Sequence, residues 1–354
     1  MSNTNLIHAK RQKNDEFYTQ LDDIQREMQA YLEYDPDVFR DKTVLLPCDD
    51  PDWSNFTKYF AERFESLGLK KLISTSYSPS GGHGKVFVLD GENELQWEYL
   101  AGDGDFRSAE VTVLRDEADI VITNPPFSLF REFMAWLSDG DVLFSVIGNM
   151  NAVTYKEVFP LIKDNELWIG ATGMRSITYE VPVEGDVGPG QFEENGKRYQ
   201  KMGNTCWFTN IQHGRRHEPL KLMTQAENEI HNKRIINNAN SYKKYDNYDA
   251  IEIPATSGIP SDYVGVMGVP ISFLDKYCPE QFEILDINPH FYSLVAEGHP
   301  KTKQLSLKSH GATKDPYARI LIRHINPAIQ EAAVQLAQVH TLETATPEPQ
   351  QMAA

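Results

Sequence analysis

Two consecutive prolines at the end of a β-branched run constrain this chain more than any other feature. The run is Asp119-Ile120-Val121-Ile122-Thr123-Asn124-Pro125-Pro126-Phe127. Its β-branched residues suit a short strand covered on both faces. Neither proline can donate to a sheet ladder, so the strand must stop there. Each proline also holds the residue before it extended. The Asn124 amide and the Pro125 carbonyl are therefore fixed at a strand's carboxyl end, where open α/β sheets bind their ligands.

That arrangement suits one kind of chemistry. An exocyclic amino group on a planar ring is a poor nucleophile, because its lone pair is delocalised into the ring. Two acceptors, the Asn124 side-chain oxygen and the Pro125 carbonyl, can take both of its N–H bonds. The nitrogen then moves toward tetrahedral geometry and frees its lone pair, while Phe127 offers a face for the ring. Positioning and fixed dipoles supply the rate, with neither a metal nor a covalent intermediate. Asn-Pro-Pro is also common loop punctuation, and the string alone does not separate the two readings.

Charge is unevenly distributed along the chain. The whole carries a formal net charge of −17, yet residues 197–244 hold ten Lys and Arg against three Asp and Glu. An acidic body with one basic segment fits a local polyanion site, and equally a solvated face. Arg215, Arg216, Lys243 and Lys244 are the candidate phosphate contacts, with Asn and Tyr side chains interleaved nearby for bases and sugars. No apolar run approaches the roughly 18 residues of a membrane-spanning helix. The amino terminus lacks a hydrophobic signal region, and the three scattered cysteines fit a reducing cytoplasm. His213 and His217 have helical spacing but no evident third ligand, so no metal site is expected.

Strand alternates with helix through the first two-thirds of the chain, which predicts a doubly wound α/β sheet. The expected elements are a helix through Ile24, Met28 and Tyr31, and a strand ending at Pro47. Beyond the acidic loop Cys48-Asp49-Asp50-Pro51, a helix capped by Ser54 is stopped by Gly68. A strand at 72–76, a hairpin around Gly91, and a turn at Gly102-Asp103-Gly104-Asp105-Phe106 precede the Asn-Pro-Pro strand. Helices over 128–137 and 154–163, strands over 142–148 and 167–169, a Gly-rich acidic loop over 185–196 and a strand over 205–209 follow. The reading divides the chain into a mobile terminus (1–13), a catalytic domain (14–211) and a smaller mixed α+β target-recognition region (212–326). A helical then disordered tail (327–354) completes it.

The order of these strings resembles the amino-methylating DNA methyltransferases. It is closest to the EcoRI-type adenine-specific family. The residues carrying the resemblance are Asp15-Glu16-Phe17-Tyr18-Thr19-Gln20, Cys48-Asp49-Asp50-Pro51 with Ser54-Asn55-Phe56, Asn124-Pro125-Pro126-Phe127-Ser128-Leu129-Phe130-Arg131-Glu132, Tyr155-Lys156-Glu157-Val158-Phe159 and Gly265-Val266-Met267-Gly268-Val269-Pro270. The resemblance implies a Rossmann-like methyltransferase sheet and methyl transfer from S-adenosyl-L-methionine to adenine N6 in double-stranded DNA. It also implies a restriction-modification setting, in which a cognate endonuclease acts separately. It would place Phe17, Tyr18 and Thr19 near the cofactor's methionine end, and Asp49 or Asp50 near its amino acid moiety or ribose. Asp105 would accept from the cofactor's adenine, Phe106 would stack on it, and Asn124, Pro125, Pro126 and Phe127 would hold the target base.

Two departures from the wider methyltransferase pattern stand out. The first strand ends in Pro47-Cys48-Asp49-Asp50-Pro51 rather than in a glycine-rich loop, and the second ends in Ser74-Thr75-Ser76 without an acidic residue. Asn-Pro-Pro-aromatic also serves cytosine-N4 and protein-glutamine methylation. A DNA-binding homologue without catalysis is the alternative from another class.

Overall fold

The computed structural model describes residues 18–78, 81–91, 93–181, 190–290, 292 and 304–325. The expected mobile terminus, Phe17 and the helical tail lie outside them. In chain order the first elements are β1 (Tyr18–Thr19), α1 (Leu21–Tyr34), β2 (Thr43–Leu46), α2 (Asn55–Glu62), α3 (Phe64–Leu67), β3 (Lys71–Thr75), β4 (Lys85–Asp90) and β5 (Asn93–Tyr99). They are followed by α4 (Ala109–Glu117), β6 (Ile120–Thr123), α5 (Phe130–Ser138), β7 (Leu143–Asn149), α6 (Phe159–Lys163), β8 (Trp168–Ile169), β9 (Ile177–Val181), β10 (Gln191–Glu194), β11 (Lys197–Met202) and β12 (Thr205–Thr209).

Eight strands form one sheet in the order β5-β4-β3-β2-β6-β7-β12-β8. The inner four, β3-β2-β6-β7, are parallel. The strands outside them pair antiparallel. The sequence reading of a wound parallel sheet therefore holds for the centre and not for the flanks. On the β5 side a short connection explains the difference: β4 and β5 join through a hairpin, which only antiparallel neighbours allow.

From β2 the chain crosses through α2 and α3 to β3 on one side. From β6 it crosses through α5 to β7 on the other. Crossovers in such sheets are right-handed, so the two crossovers wind in opposite directions about the β2–β6 boundary. In open α/β sheets the carboxyl ends of two such strands are where a ligand crevice forms. One face of the sheet buries Val44, Leu46, Leu72, Ile120 and Ile122 with Ile24, Met28, Tyr31, Phe56, Tyr59 and Phe60 of α1 and α2. All four residues of β6 are buried, as its β-branched composition predicts. Ser54 caps α2 by accepting from Phe56 N at 3.1 Å, and Gly68, at φ 66°, ends α3.

A second sheet, β1-β9-β11-β10, is absent from the sequence reading, and β10 occupies part of the expected Gly-rich loop. The helix expected over 154–163 shortens to α6, after a 3-10 turn at Met150–Thr154.

The chain divides into two compact units, one of residues 1–218 with 274–276 and one of residues 219–273 with 277–354. The second contains α7 (Gln225–His231), α8 (Lys233–Ile236), β13 (Ile251–Glu252), β14 (Met267–Pro270), β15 (Phe282–Asn288) and β16 (Arg319–His324). Its strands form a mixed sheet in the order β13-β14-β16-β15. The first unit runs past the expected boundary at 211 because the residues beyond it bond back to that unit. His213 Nε2 donates to Ile169 O at 3.0 Å, and Arg215 Nη1 donates to Ala171 O at 2.8 Å.

Candidate active site

Three parallel strands end in polar side chains that bond to one another. Thr123, the last residue of β6, donates from Oγ1 to Asp49 Oδ2 at 2.6 Å. Ser54 Oγ donates to Asp49 Oδ1 at 2.7 Å. The Asp49 carbonyl accepts from Ser74 Oγ of β3 at 2.6 Å, and the Asp49 amide donates to Thr75 O at 3.0 Å. Asp49 thus joins the ends of β2, β3 and β6 and the start of α2. The residue is 5% exposed, and burial pushes its carboxyl up to about 7 against the pull of the Thr123 and Ser54 hydroxyls. Each Asp49 carboxylate oxygen thus accepts from a protein hydroxyl, which gives the residue a part in joining the strand ends.

Asn124 follows directly, half-buried, with its side-chain oxygen shielded from solvent. Pro125 is buried, and Phe127 packs by part of its surface on the α1–α2 core. A 3-10 turn at Phe127–Leu129 leads into α5, and Leu129 N donates to Pro126 O at 2.9 Å. The whole string lies at the crevice edge of the sheet.

Cys48 is half-buried, and burial with the neighbouring Asp49 charge pushes its thiol up, away from the thiolate. Asp50 keeps its carboxylate near the surface, 3.3 Å from Lys85 Nζ. The turn at 102–106 is fastened to the end of β3 by backbone contact. Ser78 N donates to Asp103 O at 2.8 Å, and a Cβ on Gly104 (φ 81°) would lie 2.2 Å from Ser76 O. Only glycine fits there. Asp105 accepts from Arg107 N and Nε at 2.9 Å and from Arg107 Nη2 at 2.6 Å. The Arg107 hydrogen bond holds its carboxyl below the usual range. A carboxylate has about four acceptor sites, so one remains on Oδ2. Phe106 is 4% exposed, its ring edge-to-face with Phe133 and Trp136. The stacking role expected of it is withdrawn, because both helical neighbours enclose the ring.

β1 brings Tyr18 and Thr19 to the same edge. Asn55 Nδ2, at the start of α2, donates to Thr19 O at 2.8 Å. Thr19 Oγ1 is buried with no hydrogen-bond partner among the described residues. Such a group is completed by a polar ligand or by water.

The four candidate DNA contacts separate by environment. Arg216 is 4% exposed; its guanidinium sits 3.5 Å over the Trp168 ring and bonds Gln212 and Asn165. It is corrected from a phosphate contact to a core cation. Arg215 is paired with Asp275 at 2.8 Å and is 26% exposed. In the second unit, Lys244 pairs with the open Asp249 at 2.8 Å, and Lys243 Nζ donates to His310 O at 3.4 Å on the surface. His213 is held near a pKa of about 4, chiefly by burial, and its Nε2 proton is committed to Ile169 O. Among the described residues no cluster of His, Cys, Asp and Glu could hold a metal, and no helix could cross a membrane.

Residues 5–325 match the model of the family described as adenine-specific methyltransferase EcoRI. The type II methyltransferase M.EcoRI of Escherichia coli is 42% identical over 339 residues, covering 90% of this chain and 96% of that one. The type II methyltransferase M.MpnI of Mycoplasma pneumoniae is 36% identical over 324 residues, covering 89% of this chain and 96% of that one. The chain belongs to the EcoRI methyltransferase family. It is accordingly an adenine-specific DNA methyltransferase.

In this member of the EcoRI family, hydroxyl–carboxylate bonds join the strand ends around the glycine-poor loop that follows β2. Sequence reasoning missed Thr123, Ser54 and Ser74 as parts of the site. The available signal was Ser and Thr at the ends of the two strands that flank β2, Ser74-Thr75-Ser76 and Thr123. Its partner Asp49 was noticed, but for a different role.

Proposed function

We propose that this chain transfers a methyl group from S-adenosyl-L-methionine to N6 of an adenine turned out of duplex DNA. The observation that carries this reading is Asn124-Pro125-Pro126-Phe127 at the end of β6, beside the crevice where the winding of the sheet reverses. Asn124 Oδ1 and the Pro125 carbonyl accept the two N6–H bonds and localise the lone pair on nitrogen. Phe127 lies along the purine face and fixes its plane. The two prolines keep both acceptors from relaxing, so little reorganisation accompanies the reaction.

The residues present fit the cofactor. Among the described residues Thr19 Oγ1 is an unsatisfied buried group, Asp50 is a carboxylate in the loop after β2, and Asp105 is one in the turn fastened to the end of β3. Thr19, Asp50 and Asp105 would hold it, with Tyr18 next to Thr19 on β1. When bound, it supplies an electrophilic methyl group on a sulfonium. Lys243 and Lys244 contact phosphates, and Arg215 joins them only by leaving Asp275.

Modification-sensitive sequencing of DNA from a host expressing the chain tests this reading. N6-methyladenine at one recurring sequence is the expected result. N4-methylcytosine, or unmodified DNA with a folded and cofactor-binding protein, contradicts it.

A further inference from the structure

We infer that Asp49 is a positioning residue for the transfer step, acting through Thr123 on Asn124, and not a cofactor contact. The inference rests on the reading of Asn124 given above. Asp49 is buried, and its two oxygens are taken by Thr123 Oγ1 at 2.6 Å and Ser54 Oγ at 2.7 Å. Its backbone is tied to β3 at both ends, by Ser74 Oγ to its carbonyl and by its amide to Thr75 O. Ser74 is itself held by Thr57 Oγ1 of α2 at 2.8 Å. Asp49 is therefore anchored on three sides before it meets Thr123.

Thr123 is the residue that needs such an anchor. Beyond it, neither Pro125 nor Pro126 has an N–H to give to the sheet, so the ladder loses two donors just after β6. The Asp49–Thr123 bond fixes the last ladder residue from the side. It sets the strand's exit angle, and with it the point from which Asn124 Oδ1 and the Pro125 carbonyl face the crevice. A misplacement of about 1 Å at a reacting group costs up to about a hundredfold in rate.

A double-mutant cycle on the full-length protein tests this. Thr123→Val keeps the shape of the side chain and deletes the hydroxyl. It should lower single-turnover methyl transfer about tenfold while leaving KM for the cofactor within about twofold. Thr123→Ser should restore the rate to within about threefold of the parent. In an Asn124→Ala background, Thr123→Val should cost less than about twofold further, because the residue it positions is gone. An equal loss in both backgrounds overturns the proposal, as does a rise in cofactor KM with the rate kept. An Asn124→Ala protein with the parent rate sinks the reading of Asn124 itself, a separate outcome. Should Thr123→Val not fold, Thr123→Ala takes its place, with the same expected loss in the parent background and the same near-absence of further loss in the Asn124→Ala background. A tenfold or larger rise in cofactor KM with either variant returns Asp49 to the cofactor and overturns the proposal.

Discussion

At the carboxyl ends of β2, β3 and β6, short side chains bond to one another across strand ends: Asp49 with Thr123 and Ser54, and Ser74 with the Asp49 carbonyl. In the basic segment over 197–244 the cations divide instead. Arg216 is sealed over Trp168, Arg198 is paired with Glu193 at 2.7 Å while only 5% exposed, and Lys244 faces solvent beside Asp249. Short or ring-locked residues take their positions from the backbone. Long cationic side chains take whichever partner the tertiary fold puts within reach. A local cluster of charge therefore says less about a binding surface than a strand end says about a ligand edge.

The comparison is sharpest at its two extremes. The folded Asp49 carboxyl, near 7, lies above its ordinary 3.8. Between those values the folded protein holds a proton that the unfolded chain has lost. This group's contribution is thus greatest at low pH and declines as pH rises to about 7. Asp49→Asn does not titrate, so relative to the parent it should gain on the order of 2–3 kcal/mol between pH 5 and pH 8. Urea unfolding of both proteins at the two pH values measures it. An unchanged difference means that Asp49 is not the buried, shared carboxylate described here.

On the cationic side, Arg216→Ala should destabilise the protein by about 2–3 kcal/mol, through the lost cation–π and hydrogen-bond contacts. It should leave the salt dependence of DNA binding unchanged. Neutralising Lys243 and Lys244 together should do the reverse. Stability should stay within about 0.5 kcal/mol, while the slope of log K against log salt flattens by about one to two units on cognate and non-cognate duplexes alike. Should Arg216→Ala flatten the slope instead, the division between core and surface cations is wrong.

What was legible in the sequence follows the same division. Ile120–Thr123 could only be a covered strand, and Pro125 and Pro126 could only end it; the structure has both. Ser54 as a cap and Gly68 as a stop rest on local backbone chemistry and were equally readable. The β1–β9 pairing was not, because it joins Tyr18–Thr19 to residues some 160 positions away, where no local pattern reports a partner; the β10–β11 hairpin around Asn195-Gly196 carried a local turn signal that the reading passed over. Asp49, Phe106 and Arg216 were all noticed and all given ligands. Each proved to have protein neighbours supplied by distant segments: Thr123 for the first, Phe133 and Trp136 for the second, Trp168 and Asn165 for the third.

The central claim is that Asn124 and the Pro125 carbonyl activate the amino group at the end of β6. Single-turnover methyl transfer by Asn124→Ala, with cofactor affinity measured on the same protein, tests it most directly. Loss of one preorganised acceptor should slow transfer by at least about a hundredfold, by analogy with loss of an oxyanion-hole donor, with cofactor affinity within about threefold of the parent. Transfer at the parent rate, or a slowed rate fully explained by lost cofactor binding, would contradict it.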